Sequence, residues 1–260
     1  MKIALYQMHI AWENKKANYI QLEKKLKEMN GIKIDLFLMP EMSFTGFSMN
    51  TDVTKERHLE TVNKMTEYAK QYHVSIGFGW VKDCGEKSEN HYTIINKNGE
   101  MLCDYTKIHP FSFAGEDEKF RSGEKIKSFI CEGIPCSTFI CYDLRFPEIF
   151  QIASRKAHTI FVPANWPQKR QEHWRCLLQA RAIENQVYIF AINCVGEIGG
   201  ANYLGNSCVI SPNGEVLTEL CGQEGVLEYE LVDDVENFRD AFRVKDDRKE
   251  KLYYGLMNNV

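Results

Sequence analysis

The first eighty residues alternate between strand-like and helix-like segments, and this order limits the chain to few architectures. KIALYQM (2–8) predicts a strand, and apolar residues then recur at helical spacing until Asn30-Gly31 ends the pattern. DLFLMPE (35–41) predicts a second strand, residues 59–72 a second helix, and VSIGFGWV (74–81) a third strand. This order is typical of a parallel sheet whose crossover helices cover its faces.

Two β-hairpins are predicted further along the chain, by segments that resemble each other. TIINKNGEMLCDY (93–105) places β-forming residues on both sides of Asn98-Gly99, and VISPNGEVLTEL (209–220) does so around Asn213-Gly214. Asn-Gly pairs favour two-residue turns in which both residues have positive φ. The shared pattern Ile-x-x-Asn-Gly-Glu-x-Leu indicates that the chain has two similar halves.

Further strands and helices are predicted between the hairpins. In chain order they are a strand that ends at Cys141, a helix near 147–156, a strand in HTIFVPANW (158–166), a helix near 169–185 and a strand in VYIFAINC (187–194). The glycine-rich GEIGGANYLG (196–205) predicts a loop, which lacks the spacing of a phosphate-binding loop. We expect two mixed sheets with helices outside them, in a single domain over residues 1–260, because no linker-like segment divides the chain.

Composition and charge exclude several classes of protein. The hydrophobic share of 44% suits a packed core, and the net charge of −4 with interspersed signs gives no basic surface for nucleic acid. The run RVKDDRKEK (243–251) mixes both signs and predicts a solvated surface segment. The sequence offers no apolar run of membrane-spanning length and no basic, apolar leader. We therefore expect a cytoplasmic protein without membrane or nucleic-acid partners.

The cysteines indicate free thiols. Nine of them, an odd number, are scattered along the chain, which favours a reducing compartment over a disulfide framework. Cys131, Cys136 and Cys141 recur every five residues, but steps of five alternate between the faces of a strand. No CxxC pair or histidine accompanies them, so we expect no metal site.

The stretch STFICYDLRFPEIF (137–150) contains the cysteine with the most unusual surroundings. An apolar run stops at Cys141 and is followed directly by Asp143, Arg145 and Glu148. A structural cysteine normally has apolar neighbours, whereas a cysteine at a strand end, beside a turn and a helix start, has the surroundings of a reactive thiolate. Taken alone, the stretch leaves both interpretations open.

Two other predicted strands also end in polar groups. Glu41 follows LFLMP and Lys107 follows CDYT. Because strand ends meet at one edge of such a sheet, we expect the carboxylate, the ammonium and the Cys141 thiol to converge. This trio suits acyl transfer: Glu41 accepts the thiol proton, Cys141 attacks a carbonyl carbon, and Lys107 stabilises the oxyanion. The backbone N–H of Tyr142 is a candidate second oxyanion donor.

Three segments resemble the catalytic motifs of the nitrilase, or carbon–nitrogen hydrolase, superfamily: PEMSFTGF (40–47), YTKIHPF (105–111) and CYDLRFPE (141–148). The similarity continues through PANWP (163–167), HWRCLLQARAIENQVYI (173–189) and the second hairpin, so it covers nearly the whole chain. The resemblance implies a four-layer α-β-β-α sandwich with two mixed sheets. It also implies an enzyme that uses no cofactor or metal and assembles as a homodimer or a higher homo-oligomer.

The resemblance also suggests further site residues. A second glutamate is expected on the loop after Lys107; of Glu116, Glu118 and Glu124, Glu116 fits the family's spacing best. Three residues are candidates for substrate binding: Tyr142, Arg145 and Trp166.

Each of these three has a second interpretation. Arg145 is expected either to clamp a substrate carboxylate with its planar fork or to pair with Asp143 or Glu148 and shape the turn. Tyr142 and Trp166 are expected either to line the pocket or to belong to the core.

CYDLRFPE is most similar to the branch of the superfamily that contains ω-amidase and deaminated-glutathione amidase, and the ANWP segment before the HWRCLLQARAIENQ helix is similar to the bacterial ω-amidase-like group. This implies hydrolysis of the terminal amide of a small dicarboxylic (α-keto) acid to acid and ammonia, through a cysteine thioester. Deaminated-glutathione amidase and carbamoyl-amine hydrolase are the alternatives within the superfamily.

Two other hypotheses are weaker. A Cys–His hydrolase would use His109, His158 or His173 as its base, but none has the sequence context that such enzymes need. A non-catalytic binding member of the fold would have no need of Glu41, Lys107 and Cys141 together. Selective alkylation of Cys141 would favour the enzyme over the binding protein.

Overall fold

The computed structural model describes residues 1–257 of the chain. Its first part contains, in order, β1 (Lys2–Gln7), α1 (Lys15–Glu28), β2 (Leu36–Leu38), α2 (Thr51–Thr54), β3 (Lys55–Glu56), α3 (Glu60–Tyr72), β4 (Ser75–Asp83), β5 (Ser88–Ile95), β6 (Met101–Thr106) and α4 (Glu116–Lys119). The chain continues with β7 (Ser128–Cys131), β8 (Ile134–Thr138), α5 (Pro147–Ala153), β9 (Thr159–Ala164), α6 (Gln171–Asn185), β10 (Tyr188–Asn193), β11 (Val195–Ile198), β12 (Ala201–Ile210), β13 (Val216–Cys221), β14 (Gly225–Glu230), α7 (Val235–Ala241) and α8 (Glu250–Met257).

The strands form two seven-stranded sheets. The first has the order β14-β1-β2-β4-β5-β6, with β3 beside β4; the second has the order β7-β8-β9-β10-β12, with β11 and β13 both paired to β12. In each sheet three central strands are parallel, β1-β2-β4 and β8-β9-β10, and a hairpin adds antiparallel strands. The prediction of two mixed sheets with antiparallel hairpins is confirmed.

The sheets pack face to face, with helices on their outer sides. Tyr6 of β1 packs with Leu22 of α1, whereas the adjacent Leu5 belongs to an apolar core shared with the second sheet. Tyr105 of β6 meets Phe139, which follows β8, edge-on with 5.7 Å between ring centroids, so the two sheets are in direct contact. Helices α5 and α6 pack against the second sheet. This is the predicted four-layer α-β-β-α sandwich.

The two Asn-Gly hairpins do not use the expected turns with positive φ at both residues. Gly99 has φ 86°, but Asn98 is not in the positive region, and the Gly99 N–H donates to the Asn96 carbonyl at 2.8 Å. The second hairpin repeats this geometry, with Gly214 at φ 82°. Each hairpin therefore turns one residue earlier than predicted and places only its glycine in the left-handed region.

The predicted loop at 196–205 is wrong: these residues form the hairpin of β11 and β12. Gly199 and Gly200, at φ 57° and 77°, form the turn of this hairpin, and two of its glycines also pack closely against other residues. A Cβ on Gly199 would lie 2.6 Å from the ring of Trp12, and one on Gly205 would lie 2.1 Å from the side chain of Gln7. Only glycine permits this approach of the backbone to its neighbours.

The charged segment 243–251 is mostly exposed, as predicted, but Lys245 is an exception. Its side chain is half-buried and donates a hydrogen bond to the Ser154 carbonyl at 2.5 Å, at the end of α5. Within residues 1–257, the structure has no helix whose length and hydropathy would let it cross a membrane.

Candidate active site

Cys141 begins a short 3₁₀ turn, Cys141–Arg145, three residues after β8 ends at Thr138. Its φ of 46° lies in the left-handed region, which residues with a Cβ rarely adopt. Such a conformation costs free energy and persists only where the surroundings fix it. The predicted strand that ends at Cys141 is therefore wrong in detail, because the chain leaves the strand earlier and turns sharply at the cysteine.

The buried carboxylate of Asp143 fixes this turn. The Ile140 N–H and the Tyr105 hydroxyl donate to its Oδ2 at 3.0 and 2.8 Å, and the His109 N–H donates to its Oδ1 at 3.0 Å. These bonds tie the turn to β6 and to the loop that follows β6. Asp143 thus has a structural role, since its oxygens are occupied by groups of the protein itself.

Glu41 lies in the loop after β2 and is completely buried. Its Oε1 accepts hydrogen bonds from Lys107 Nζ and Asn90 Nδ2, both at 2.9 Å, and its Oε2 accepts one from the Asn165 N–H at 3.0 Å. The Cys141 thiol lies close enough to the Glu41 carboxylate and to the Asn165 N–H for both groups to affect its pKa. The geometry places a carboxylate where it can exchange a proton with the thiol.

Lys107 follows β6 directly, and its ammonium is held between two carboxylates. Besides the bond to Glu41, its Nζ donates to the two carboxylate oxygens of Glu116 at 3.0 and 2.8 Å. Glu116 begins α4 and also accepts a bond from the Phe111 N–H at 2.5 Å. Glu118 and Glu124 are exposed, so Glu116 is the loop glutamate that the structure places beside Lys107.

The charges of this cluster set its protonation states. Burial raises the pKa of the Cys141 thiol well above its ordinary value, and the negative charge of Glu41 raises it further, against the opposing effect of Lys107. Burial alone would lower the pKa of Lys107, but Glu116 and Glu41 together raise it. The resting site thus contains a protonated thiol and an ammonium. A base must therefore remove the thiol proton before the sulfur can attack, which is the role predicted for Glu41.

A cavity of about 220 Å³ opens above Cys141. Tyr142, Arg145 and Trp166 line it, together with Lys107 and residues of three segments: Phe47, the loop that contains Phe111, Phe113 and Ala114, and the β11–β12 hairpin through Ala201 and Tyr203. All three residues with a predicted substrate-binding role therefore face the same cavity as Cys141.

Arg145 does not make the ion pairs that would merely shape the turn. Within residues 1–257 its guanidinium has no carboxylate partner; it lies 4.8 Å from the ring centroid of Trp166 and makes a 3.4 Å contact with His173. Asp143 bonds other groups, as described above. The guanidinium is therefore free to bind an anion in the cavity.

The histidines considered as alternative bases lie elsewhere. His109 Nδ1 is 2.7 Å from Asp143, and its ring stacks on Phe146 at 3.7 Å. His158 contacts Asp233 at 2.7 Å. The third candidate, His173, is exposed and contacts Arg145. Within the described part of the chain, the ionisable groups that influence the pKa of the thiol are Glu41 and Lys107 and include no histidine, which does not fit a Cys–His hydrolase.

Sequence reasoning missed several residues at the site, among them Asn90, Asn165, Lys169, Arg170 and Tyr203. Asn90 was detectable from hairpin register, because the pairing of His91 with Thr106 places residue 90 next to Lys107. Asn165 lies near the end of the predicted strand 158–166 and directly follows β9, a position comparable to that of Glu41 after LFLMP. Arg170 lies at the start of a predicted helix and Tyr203 in the glycine-rich segment 196–205. Neither position indicates that the side chain lines the cavity.

A comparison with protein families agrees with this site. The family model described as carbon-nitrogen hydrolase matches residues 2–240. The chain belongs to the carbon–nitrogen hydrolase family. This carbon–nitrogen hydrolase is similar to the 2-oxoglutaramate amidase of Bacillus subtilis (strain 168), with 32% identity over 92% of each protein. It is 33% identical to the Omega-amidase YafV of Escherichia coli (strain K12), over 84% of each.

Solved structures agree with the fold. XC1258 from Xanthomonas campestris, a CN-hydrolase superfamily protein whose structure has an arsenic adduct in its active site, superposes with a TM-score of 0.89. The two proteins are 26% identical, over 96% of this chain and 97% of that one. The predicted membership of the nitrilase, or carbon–nitrogen hydrolase, superfamily is thus confirmed.

Proposed function

We propose that this enzyme hydrolyses the terminal amide of a small dicarboxylic acid, with an α-keto acid amide such as 2-oxoglutaramate as the preferred substrate. Similarity to a 2-oxoglutaramate amidase and to an Omega-amidase supports this substrate class. Deaminated glutathione and carbamoyl amines are the competing substrates within the superfamily.

The charge of the cavity is the observation that carries the proposal. Lys107, Arg145, Lys169 and Arg170 line it, and among the residues that the structure describes no aspartate or glutamate does. A cavity with this lining attracts an anionic substrate. Lys107 belongs to the catalytic cluster, so Arg145, Lys169 and Arg170 are available for the carboxylate at the other end of the substrate.

The size of the cavity favours a short substrate. Its volume of about 220 Å³ lies below the range of roughly 300–1,000 Å³ that is common for sites of drug-sized ligands. A five-carbon dicarboxylic acid amide suits such a space better than a tripeptide-sized amide does.

Acylation begins when Glu41 removes the proton from the Cys141 thiol and the sulfur attacks the amide carbon. The oxyanion accepts hydrogen bonds from Lys107 Nζ and the Tyr142 N–H. Lys107 has a donor to spare, because the two oxygens of Glu116 can share one N–H and Glu41 takes another. Glu41 returns its proton to the amide nitrogen as the C–N bond breaks, so that ammonia leaves and a thioester remains.

Deacylation uses the same groups in reverse. A water molecule gives a proton to Glu41 and its oxygen attacks the thioester carbon, and the second oxyanion is held by the same donors. The C–S bond then breaks, the carboxylic acid product leaves, and the proton on Glu41 returns to the sulfur. Glu116 takes no part in proton transfer in this scheme; it fixes the position of the Lys107 ammonium.

Ammonia release from a panel of substrates tests the proposal. The panel contains 2-oxoglutaramate, 2-oxosuccinamate, deaminated glutathione, N-carbamoylputrescine and a simple nitrile, with the Cys141→Ala variant as the blank. We expect turnover of the two keto-acid amides and little of the others. Preferential turnover of deaminated glutathione or of N-carbamoylputrescine would replace the proposed substrate class, and silence of the folded wild-type protein on the whole panel would refute it.

A further inference from the structure

The side chain of Asn90 joins the two catalytic carboxylates. Asn90 lies on β5 and is almost completely buried. Its Nδ2 donates hydrogen bonds to Glu41 Oε1 at 2.9 Å and to Glu116 Oε1 at 3.1 Å. One amide nitrogen therefore spans two negatively charged groups that would otherwise repel each other.

These bonds make the two oxygens of Glu41 unequal. Its Oε1 accepts from both Asn90 and Lys107, whereas Oε2 accepts only from the Asn165 N–H among the described residues. Because Oε1 already has two donors, Oε2 is the oxygen with more capacity to accept the thiol proton. Asn90 thus influences which oxygen of the base is used.

The carbonyl oxygen of the Asn90 side chain indicates that an amide at this position costs free energy. Asn90 Oδ1 is buried and has no hydrogen-bond partner within residues 1–257. Carboxylates only accept hydrogen bonds, so the NH₂ group must face them and the carbonyl is left unpaired. An unpaired buried acceptor is unfavourable, and an apolar residue would avoid it. The retained amide indicates a role beyond packing.

We infer that Asn90 is a positioning residue for the hydrolysis: it holds Glu41 and Glu116 together around Lys107 and leaves Glu41 Oε2 available to Cys141. The inference rests on the proposed role of Glu41 as the base. The titratable groups that face Asn90 are Glu41, Lys107 and Glu116, while Glu89 and His91 alternate to the opposite face of β5.

The test is the variant Asn90→Leu, which keeps the shape of the side chain and removes its donors. The readout is the rate of alkylation of Cys141 by iodoacetamide between pH 4 and 9, followed on the Cys141 peptide by mass spectrometry, which needs no knowledge of the natural substrate. A hydrogen-bond donor stabilises the charged form of the carboxylate it contacts, so its removal should shift the pH dependence of a step that needs this carboxylate to accept a proton. We expect the acidic limb of the rate profile to move up by about one pH unit and the plateau rate to fall about tenfold.

Thr93→Val is the matched control, because Thr93 lies on the same strand and its hydroxyl bonds Trp80 and Asp104 instead of the catalytic carboxylates. An unchanged acidic limb in Asn90→Leu, with or without a lower rate, would overturn the inference, as would the same displacement in Thr93→Val. If Asn90→Leu does not fold, the isosteric Asn90→Asp applies: we expect at least about tenfold slower alkylation at pH 7, and a wild-type rate would overturn the inference. If the wild-type enzyme releases ammonia from none of the panel substrates but the acidic limb of the alkylation profile still moves in Asn90→Leu, only the proposed substrate class is refuted.

Discussion

Replacing Arg145 by methionine would test whether its guanidinium binds the carboxylate of the substrate. The variant keeps an unbranched apolar side chain next to Trp166 and removes only the guanidinium. In the wild-type structure this guanidinium has no carboxylate partner among residues 1–257. A hydrogen bond between charged groups contributes about 1.5–3 kcal/mol. Arg145 is half-exposed, and solvent weakens such a bond, so we expect the lower part of this range, about 1.5–2 kcal/mol. This free energy corresponds to a 10- to 30-fold loss of kcat/KM.

The loss should depend on the substrate. Contact with a carboxylate distant from the amide is made equally in the ground state and in the transition state, so KM should rise while kcat changes little. The kcat/KM for a neutral amide such as butyramide should stay within about twofold of wild type, because this substrate offers no charge to Arg145. Arg145→Lys should recover part of the loss, since it restores the charge without the fork.

The assay is ammonia release from 2-oxoglutaramate and from butyramide under identical conditions. Arg175→Met is the matched control, because Arg175 is an exposed arginine of α6 whose partner is Glu219, away from the cavity. Equal losses on the charged and the neutral amide would refute the carboxylate clamp and favour a role for Arg145 in shaping the turn. No loss on either would assign the carboxylate to Lys169 or Arg170.

Three further variants test other parts of the structure. Glu41→Gln should lower kcat at least ~10²-fold if Glu41 is the general base; a near-normal rate would contradict that role, with the exposed Glu118→Gln as control. Asp143→Ala should lower the free energy of unfolding by about 3 kcal/mol, because it leaves buried donors unpaired; a urea titration showing no loss would contradict this. Burial, and then the charges of Arg239 and Arg248, lower the pKa of Lys245 to about 7, so Lys245→Met should raise the melting temperature. This gain should be full below pH 7 and disappear as the pH rises to about 10.4, the ordinary lysine value; a gain independent of pH would contradict it.

The regular parts of the fold were predictable because their sequence patterns are local. The alternation of strands and helices, the two hairpins and the α6 helix follow from periodicity and turn residues, which need no knowledge of distant parts of the chain. The β11–β12 hairpin was missed for the opposite reason. Gly199 and Gly205 are required by Trp12 and Gln7, nearly two hundred positions away, and locally the glycines of this hairpin look like loop residues.

The site was predictable where a chemical group follows a strand directly, as Lys107 follows β6. Cys141 was found for its neighbours, but its left-handed backbone depends on how Asp143 of the same turn is held by β6 and the loop after it, and its raised thiol pKa depends on burial and on Glu41 of the first sheet. Asn90 required the register of a hairpin rather than a motif. The catalytic roles, the homo-oligomer, the cytoplasmic location and the single-domain organisation stay predictions.

The division of the site between the two sheets has a consequence for variation in the core. Glu41, Asn90 and Lys107 are attached to the first sheet and Cys141 and Asn165 to the second, so the proton-transfer distance is set by how closely the sheets pack. A displacement of about 1 Å between reacting groups can cost ~10² in rate. A smaller apolar side chain between the sheets would then change the distance between the two halves of the site. The edge-on contact of Tyr105 and Phe139 is one such position. Catalysis in this enzyme should decline under core variation before the protein unfolds.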